Sequence, residues 1–295
     1  MIVWLASYPK SGNTWLRAIL DRVIKKKENN DEAWLSKLHT LTGTYPSTNH
    51  FQNLNSSLVK ESDFQNKKEI IKNWILSQKK LNSDKKLRLL KTHNMLCSIK
   101  IDQHNHSFTN EENTLGVIHV VRDPRNVITS LKNHFFLQTY NEALKFITYE
   151  GKWGGVTQPG DILPGEVPQF FSSWEHHFES WALFPKNYIL FKYEDILDNP
   201  RNQIKRLIEY LQRFIKINHD EKIIDQIVDD TNFENLKNLE KKGYFLEGAI
   251  NPQTMEKTHF FNLGPKNDYK MLLDKNIQLE IEKKFKNTMK KLNYL

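Results

Sequence analysis

Apolar residues in this chain fall in short unbroken runs, separated by longer stretches with a helical period. The first run is Ile2-Val3-Trp4-Leu5-Ala6. Others stand at Leu87-Arg88-Leu89-Leu90, Gly116-Val117-Ile118-His119-Val120-Val121 and Tyr188-Ile189-Leu190-Phe191. Short apolar runs without alternation predict strands buried on both faces. Between them, Leu16, Ile19, Leu20, Val23 and Ile24 predict a helix beginning at Thr14, and Ile70, Ile71, Trp74 and Ile75 predict one over 67–81. Another helix is predicted from Pro124, because Asp123 suits the cap and Pro the first turn. Further helices are expected at 169–183, 200–213, 219–230 and 274–291. The polar stretch 28–66 reads as a surface insertion, and 151–168, rich in Gly and Pro, as a loop. Strands alternating with helices indicate an α/β fold, a parallel sheet covered by helices on both faces, in one domain over 1–295.

In such sheets ligands bind beyond the carboxyl ends of the strands. Polar clusters follow each apolar run: Lys10-Ser11, Lys91-Thr92-His93, Arg122 and Lys192-Tyr193. Their convergence marks a candidate site. The segment Pro9-Lys10-Ser11-Gly12-Asn13-Thr14 joins a strand to a helix, where free N–H groups and the helix dipole favour an anion. It is not a Walker A loop. Lys10 precedes the glycine, no Gly-Lys-Ser/Thr follows, and the usual magnesium ligand is missing.

Composition narrows the picture further. Lys plus Arg is 43 and Asp plus Glu is 35, a formal charge of +8. The Lys pairs that carry much of it are scattered along the chain, as on a solvated surface. Cys97 is the one cysteine, so a disulfide scaffold or a cysteine-based zinc site within one chain is excluded. The 11 histidines form no metal-ligand motif. No run approaches the roughly 18 apolar residues of a membrane span. The amino terminus lacks the basic segment and long apolar stretch of a signal peptide, so a cytoplasmic chain is expected, with no nucleic-acid partner and no integral membrane association.

The segment Tyr8-Pro9-Lys10-Ser11-Gly12-Asn13-Thr14-Trp15 resembles the 5′-phosphosulfate-binding loop of the sulfotransferases, usually Tyr-Pro-Lys-Ser-Gly-Thr-Thr-Trp, with a departure at Asn13. Arg122, after a strand, and Ser130, eight residues later, resemble that family's 3′-phosphate site. Lys91-Thr92-His93 resembles its catalytic Lys-Thr-His. The stretch from Trp174 through His177 to Trp181 resembles its Trp–His–Trp helix. Tyr193-Glu194-Asp195 resembles its Tyr-Glu-Asp segment, and Thr231-Asn232-Phe233 its adenine-contacting Thr-x-Phe. The matches run in order from Ile2 to about Lys270. The late loop departs from the family's Arg-Lys-Gly-x-x-Gly-Asp-Trp-Lys. It reads Asn262-Leu263-Gly264-Pro265-Lys266-Asn267-Asp268-Tyr269-Lys270, so both basic 3′-phosphate ligands are missing. The Gly264 N–H remains, and Lys266 is a candidate substitute two residues on.

The resemblance implies a P-loop-type three-layer fold, with 3′-phosphoadenosine 5′-phosphosulfate as co-substrate, adenosine 3′,5′-bisphosphate as product, and no metal. It assigns Lys10, Ser11, Gly12, Asn13, Thr14, Trp15, Arg122, Ser130, Tyr193, Thr231, Phe233 and Gly264 to the nucleotide, and catalysis to His93, Lys10 and Lys91. An imidazole of ordinary pKa near 6.5 suits His93 as general base. Trp15 and Phe233 read either as stacking partners of the adenine or as core, and Tyr193 either as a nucleotide ligand or as structural. His177 reads either as acceptor-pocket lining or as helix packing. His104, His106, His119, His134 and His176 have no comparable context. The variable segments 28–66, 136–170 and 240–262 carry Phe51, Phe135, Phe136, Tyr140, Phe146, Trp153, Tyr244 and Phe245. They point to a small, partly apolar acceptor with a hydroxyl or amine. Two other functions compete. A nucleotide kinase wants a Walker A pair and a magnesium-binding Asp, and no convincing set is present. A non-catalytic nucleotide- or polyanion-binding protein fits the positive charge and the missing Arg-Lys pair, but not the intact Lys10, Lys91 and His93.

Overall fold

Strand β1 (Ile2–Ser7) is buried at every position, as its apolar run requires. It is followed by α1 (Asn13–Ile24), α2 (Leu38–Leu41), β2 (Thr42–Thr44), α3 (Phe64–Asn82) and β3 (Arg88–Thr92). A hairpin comes next, β4 (Ser98–Ile101) and β5 (His104–Ser107), then β6 (Thr114–Val121), α4 (Pro124–His134) and α5 (Tyr140–Thr148). The short strands β7 (Trp153–Gly154) and β8 (Gln169–Phe170) pair with each other before α6 (Trp174–Ala182) and β9 (Tyr188–Lys192). Helices α7 (Tyr193–Asp198), α8 (Pro200–Leu211), α9 (Glu221–Thr231), α10 (Phe233–Lys241), α11 (Tyr269–Leu272), α12 (Lys275–Lys284) and α13 (Lys286–Lys291) complete the chain. This computed structural model describes residues 1–25, 32–51, 64–154, 167–248, 251 and 254–295. The expectations for 28–66, 151–168 and 240–262 therefore lie partly outside the described residues.

Five parallel strands form one sheet in the order β2-β3-β1-β6-β9. Val3 and Leu5 pack with α1, α8 and α9 on one face. Ile2, Trp4 and Ala6 pack with α3 and α6 on the other. Burial on both faces explains why alternation is missing from the sequence. The layers are those of the expected three-layer α/β fold.

Several expectations need correction. The described part of 28–66 is not a surface insertion, because Thr42–Thr44 adds the edge strand and Trp34, Leu35, Tyr45 and Phe51 are buried. The helix expected over 169–183 starts only at Trp174, capped by the Ser173 side chain. Gln169–Phe170 pairs as a strand instead. The single helix expected over 274–291 breaks at Phe285, whose φ of −110 leaves the helical range.

Candidate active site

Strand order decides what meets. β1 lies between β3 and β6, so the phosphate loop after Ser7 is flanked by Lys91-Thr92-His93 on one side and Arg122 on the other. β9 adds Lys192-Tyr193 beyond β6. The chain moves to opposite sides of β1 to make β3 and β6, which opens a crevice at the strands' carboxyl ends.

The loop itself turns through two left-handed residues, Lys10 (φ 66) and Gly12 (φ 105). Such alternation turns backbone N–H groups into one concavity. Glycine is required at position 12 twice over, since a Cβ there would stand 2.7 Å from Cδ2 of Tyr193 in addition to the strained φ. Three buried polar atoms around this cradle lack partners: Ser11 Oγ, Asn13 Oδ1 and Arg122 Nε. The Ser11 hydroxyl and the Arg122 Nε–H, orphaned donors beside a helix N-terminus, fit a phosphate group, whereas Asn13 Oδ1 can only accept and does not. Arg122 lies with Cζ 3.9 Å from the Tyr193 ring centroid, and its Nη1 donates to the Lys10 carbonyl at 3.4 Å. Tyr193 is therefore a wall that supports both Gly12 and Arg122, and its ring also meets Trp15 edge-on at 5.3 Å.

His93 is oriented from β1. Its Nδ1 lies 2.7 Å from the Ser7 carbonyl oxygen, which can only accept. Nδ1 thus carries the proton and Nε2 keeps its lone pair. The same Ser7 offers its Oγ to Asn13 Nδ2 at 2.9 Å, and Asn13 also donates to the Leu5 carbonyl. The Asn13 side chain therefore points back to the strand rather than out of the loop. Gln169 holds the His93 N–H at 2.8 Å. Burial and the charges of Lys91, Lys10 and Arg17 push the His93 imidazole down to about 3. Lys10 is lowered to about 7 by burial, Arg122 and Lys91, and its Nζ rests 3.9 Å from the Phe260 ring centroid.

The Trp–His–Trp helix acts as a clamp. Trp174 Nε1 donates to the Arg122 carbonyl and Trp181 Nε1 to the Asn94 carbonyl, fixing the ends of β6 and β3. His177 between them is fully buried, and its ring meets Tyr8 edge-on at 5.7 Å. Trp15 and Phe233 meet the same apolar cluster from two elements. Trp15 Nε1 donates to the Thr231 carbonyl at 2.7 Å, which brings the Thr231-Asn232-Phe233 corner to the phosphate-loop helix. The Phe233 ring packs on Gly264, where a Cβ would stand 2.3 Å from Cε2 and where φ is 52. Ser130 lies on α4, eight residues past Arg122, half-buried. The late loop is pinned to that helix by Asn267, which accepts from Thr129 Oγ1 and donates to the Asn126 carbonyl. Lys266 beside it is exposed.

Four groups at the site stand outside the expected set. His134, one helical turn after Ser130, is close enough to Lys10, Lys91 and His93 for their charges, after burial, to push it down to about 2. Its spacing from Ser130 was the available signal. Arg17, one turn beyond Asn13, is buried and donates to Glu247 at 2.6 Å and to Thr42 Oγ1 at 2.7 Å. Glu247 and Glu240 are carboxylates whose charges act on Lys10. Nothing in their local sequence pointed to them.

A family model described as sulfotransferase domain matches residues 2–293. Cytosolic sulfotransferase 10 of Arabidopsis thaliana is 26% identical over 297 residues, covering 96% of this chain and 78% of the relative. Sulfotransferase 1A1 of Rattus norvegicus is 31% identical over 157 residues, 51% of this chain and 45% of the relative. Among solved structures, mouse sulfotransferase SULT7A1 complexed with PAP aligns with a TM-score of 0.54 at 15% identity, covering 97% of this chain and 83% of that one. Retinol dehydratase in a complex with retinol and PAP aligns at 0.60 and 17%, covering 98% and 81%. At those identities the structures show a shared fold. No helix among the described residues is long and apolar enough to cross a membrane.

Proposed function

The chain belongs to the sulfotransferase domain family, and from that premise we propose that it moves a sulfuryl group from 3′-phosphoadenosine 5′-phosphosulfate to a hydroxyl or amine of a small, partly apolar acceptor, in one domain over 1–295 and in the cytoplasm. The nucleotide supplies the sulfuryl group and leaves as adenosine 3′,5′-bisphosphate. The Lys10–Thr14 loop would hold its 5′ end and Arg122 with Ser130 its 3′-phosphate. The Gly264 N–H assists there, and Trp15 with Phe233, near Thr231, would take the adenine. Nε2 of His93 takes the acceptor's proton, for which the Nδ1–Ser7 contact leaves the correct tautomer. Lys10 and Lys91 stabilise the charge that develops on oxygen, the kind of preorganised electrostatic effect that dominates group transfer. Because two lysines fill that role and no Walker-type ligand is present, turnover is expected to survive magnesium chelation.

The observation that carries this reading is the meeting of the orphaned Ser11 Oγ and Arg122 Nε with a His93 whose Nε2 keeps its lone pair, at the carboxyl ends of the strands. Transfer of radiolabelled sulfate from the nucleotide to a panel of phenols, alcohols and amines tests it. Labelled product that disappears in His93→Ala supports the assignment. Tight nucleotide binding with no transfer to any acceptor would favour the non-catalytic alternative.

A further inference from the structure

Lys152 stands on the wall that backs His93, held there by the backbone. Its carbonyl accepts the N–H groups of Phe171 at 2.9 Å and Ser172 at 3.1 Å. The two preceding residues of that same segment reach the His93 loop. Phe170 N–H donates to Asn94 Oδ1 at 2.8 Å, and Gln169 Oε1 accepts the His93 N–H at 2.8 Å. One hydrogen-bonded ladder thus fixes Lys152 relative to the proposed base.

Two aromatic rings lie between them. The His93 and Phe171 ring centroids are 6.1 Å apart, and those of Phe171 and Phe146 are 6.4 Å apart. The Lys152 ammonium then sits 4.2 Å from the Phe146 centroid. Among the described residues no carboxylate pairs with it. Burial lowers its pKa, so the charge is partly stripped of water. The face of Phe146 replaces only part of that hydration.

The geometry points to an anion site at Lys152 that receives a carboxylate of the acceptor, with the acceptor's apolar body along Phe171 and Phe146 and its hydroxyl at His93. The acceptor class is then a small hydroxylated aromatic acid rather than a neutral alcohol. This rests on the reading of His93 as the base at the acceptor.

Calorimetric titration of 3-(4-hydroxyphenyl)propanoate and of its primary amide into the full chain, with and without adenosine 3′,5′-bisphosphate, tests the assignment. The acid should bind at least about 10-fold more tightly than the amide, the scale of a charge-assisted contact. Lys152→Met keeps the stem on Phe146 and should erase the difference, while Lys152→Arg should retain most of it. Equal binding of acid and amide by the wild type, no binding of the acid, or a preference that survives Lys152→Met overturns the proposal. The comparison of acid with amide on the wild type stands even if a variant fails to fold. Nucleotide binding, read in the same titrations, reports separately on the proposed function. Acid preference without nucleotide binding sinks that function and leaves the anion site standing, and the converse result does the opposite.

Discussion

On one side of His93, the ends of β1, β3 and β6 bring Ser7, Lys91 and Arg122 together through sheet register. On the other side, Phe146 comes from α5, Lys152 from the segment before β7, Phe171 from the turn after β8 and Phe260 from the loop between α10 and α11. The first side is held by parallel ladders and by Trp174 and Trp181 clamping the strand ends. The second shares a backbone ladder only at Lys152 and Phe171, and its rings, on α5 and on loops, are placed by contacts with one another. Backbone ladders fix positions whatever side chains are present, so the proposed nucleotide side should keep its geometry when residues on it are changed. Ring contacts depend on each residue, so the proposed acceptor side is where specificity can be altered.

The sharpest test of that division is His93→Ala. It removes the proposed base without touching the phosphate cradle. The turnover number should fall by roughly 10²–10⁴-fold, with nucleotide affinity unchanged by calorimetry. A near-wild-type rate with an alcohol acceptor would move the base to another group, of which the neighbouring His134 is the first candidate.

Arg122→Ala should act on the nucleotide side alone. A charge-assisted contact to phosphate is worth about 1.5–3 kcal/mol, so adenosine 3′,5′-bisphosphate should bind about 10–100-fold more weakly. Adenosine 5′-phosphosulfate, which lacks the 3′-phosphate, should be affected much less. Equal weakening of both ligands contradicts the 3′-phosphate assignment and leaves Arg122 as a support for the Lys10 carbonyl and Tyr193.

The same two regions differ in how far the sequence revealed them. β1, β3, β6 and β9 were legible because burial on both faces forces unbroken apolar runs. The polar residues after them were legible because a parallel sheet puts every strand's carboxyl end at one edge. Thr42-Gly43-Thr44 has no apolar residue, and its place as an edge strand comes from pairing with β3. The β4–β5 hairpin turns through Asp102 and Gln103, both at positive φ, without the Asn-Gly or Asp-Gly pair that usually marks such a turn. The Arg17–Glu247 pair spans 230 positions, beyond any local periodicity. Lys152 reads from sequence as one more surface lysine. Its aromatic seat exists only once the fold brings the Phe146 ring of α5 within 4.2 Å of its ammonium.

A smaller effect separates the two lysine environments. Lys10 is held near pH 7 by burial, Arg122 and Lys91. Phosphate groups beside it would offset that repulsion and return it toward its ordinary value near 10.4. Raising a pKa on binding means proton uptake. At pH 8 the free side chain is mostly neutral, and the ligand's own phosphates, with second pKa near 6, are already dianionic. Binding of adenosine 3′,5′-bisphosphate should then take up nearly one proton, and affinity should fall as pH rises from about 7 to 9. Calorimetry in buffers of different ionisation enthalpy reads the uptake directly. Lys10→Met should abolish it. Uptake that persists in that variant would assign the proton to another group.

The smallest expected effect concerns Asn13, where the chain departs from the usual loop. Its Nδ2 donates to Ser7 Oγ and to the Leu5 carbonyl, and Ser7 in turn accepts from His93 through its carbonyl. Asn13 therefore serves the strand and, one residue removed, the orientation of the base. In Asn13→Thr the shorter hydroxyl cannot make both contacts. Two buried acceptors lose a donor, one of which, Ser7 Oγ, still lies 3.3 Å from His93 Nδ1. The net cost should be about 1 kcal/mol, a fall of roughly 1–2 °C in Tm for a chain of this size. The His93–Ser7 carbonyl contact survives, so turnover should drop by no more than about 3-fold, well under 1 kcal/mol. Nucleotide affinity should hold, because the cradle is backbone at this position. If affinity falls tenfold while Tm holds, Asn13 touches the nucleotide itself, and the stiff side of the site depends on its side chains more than its ladders suggest.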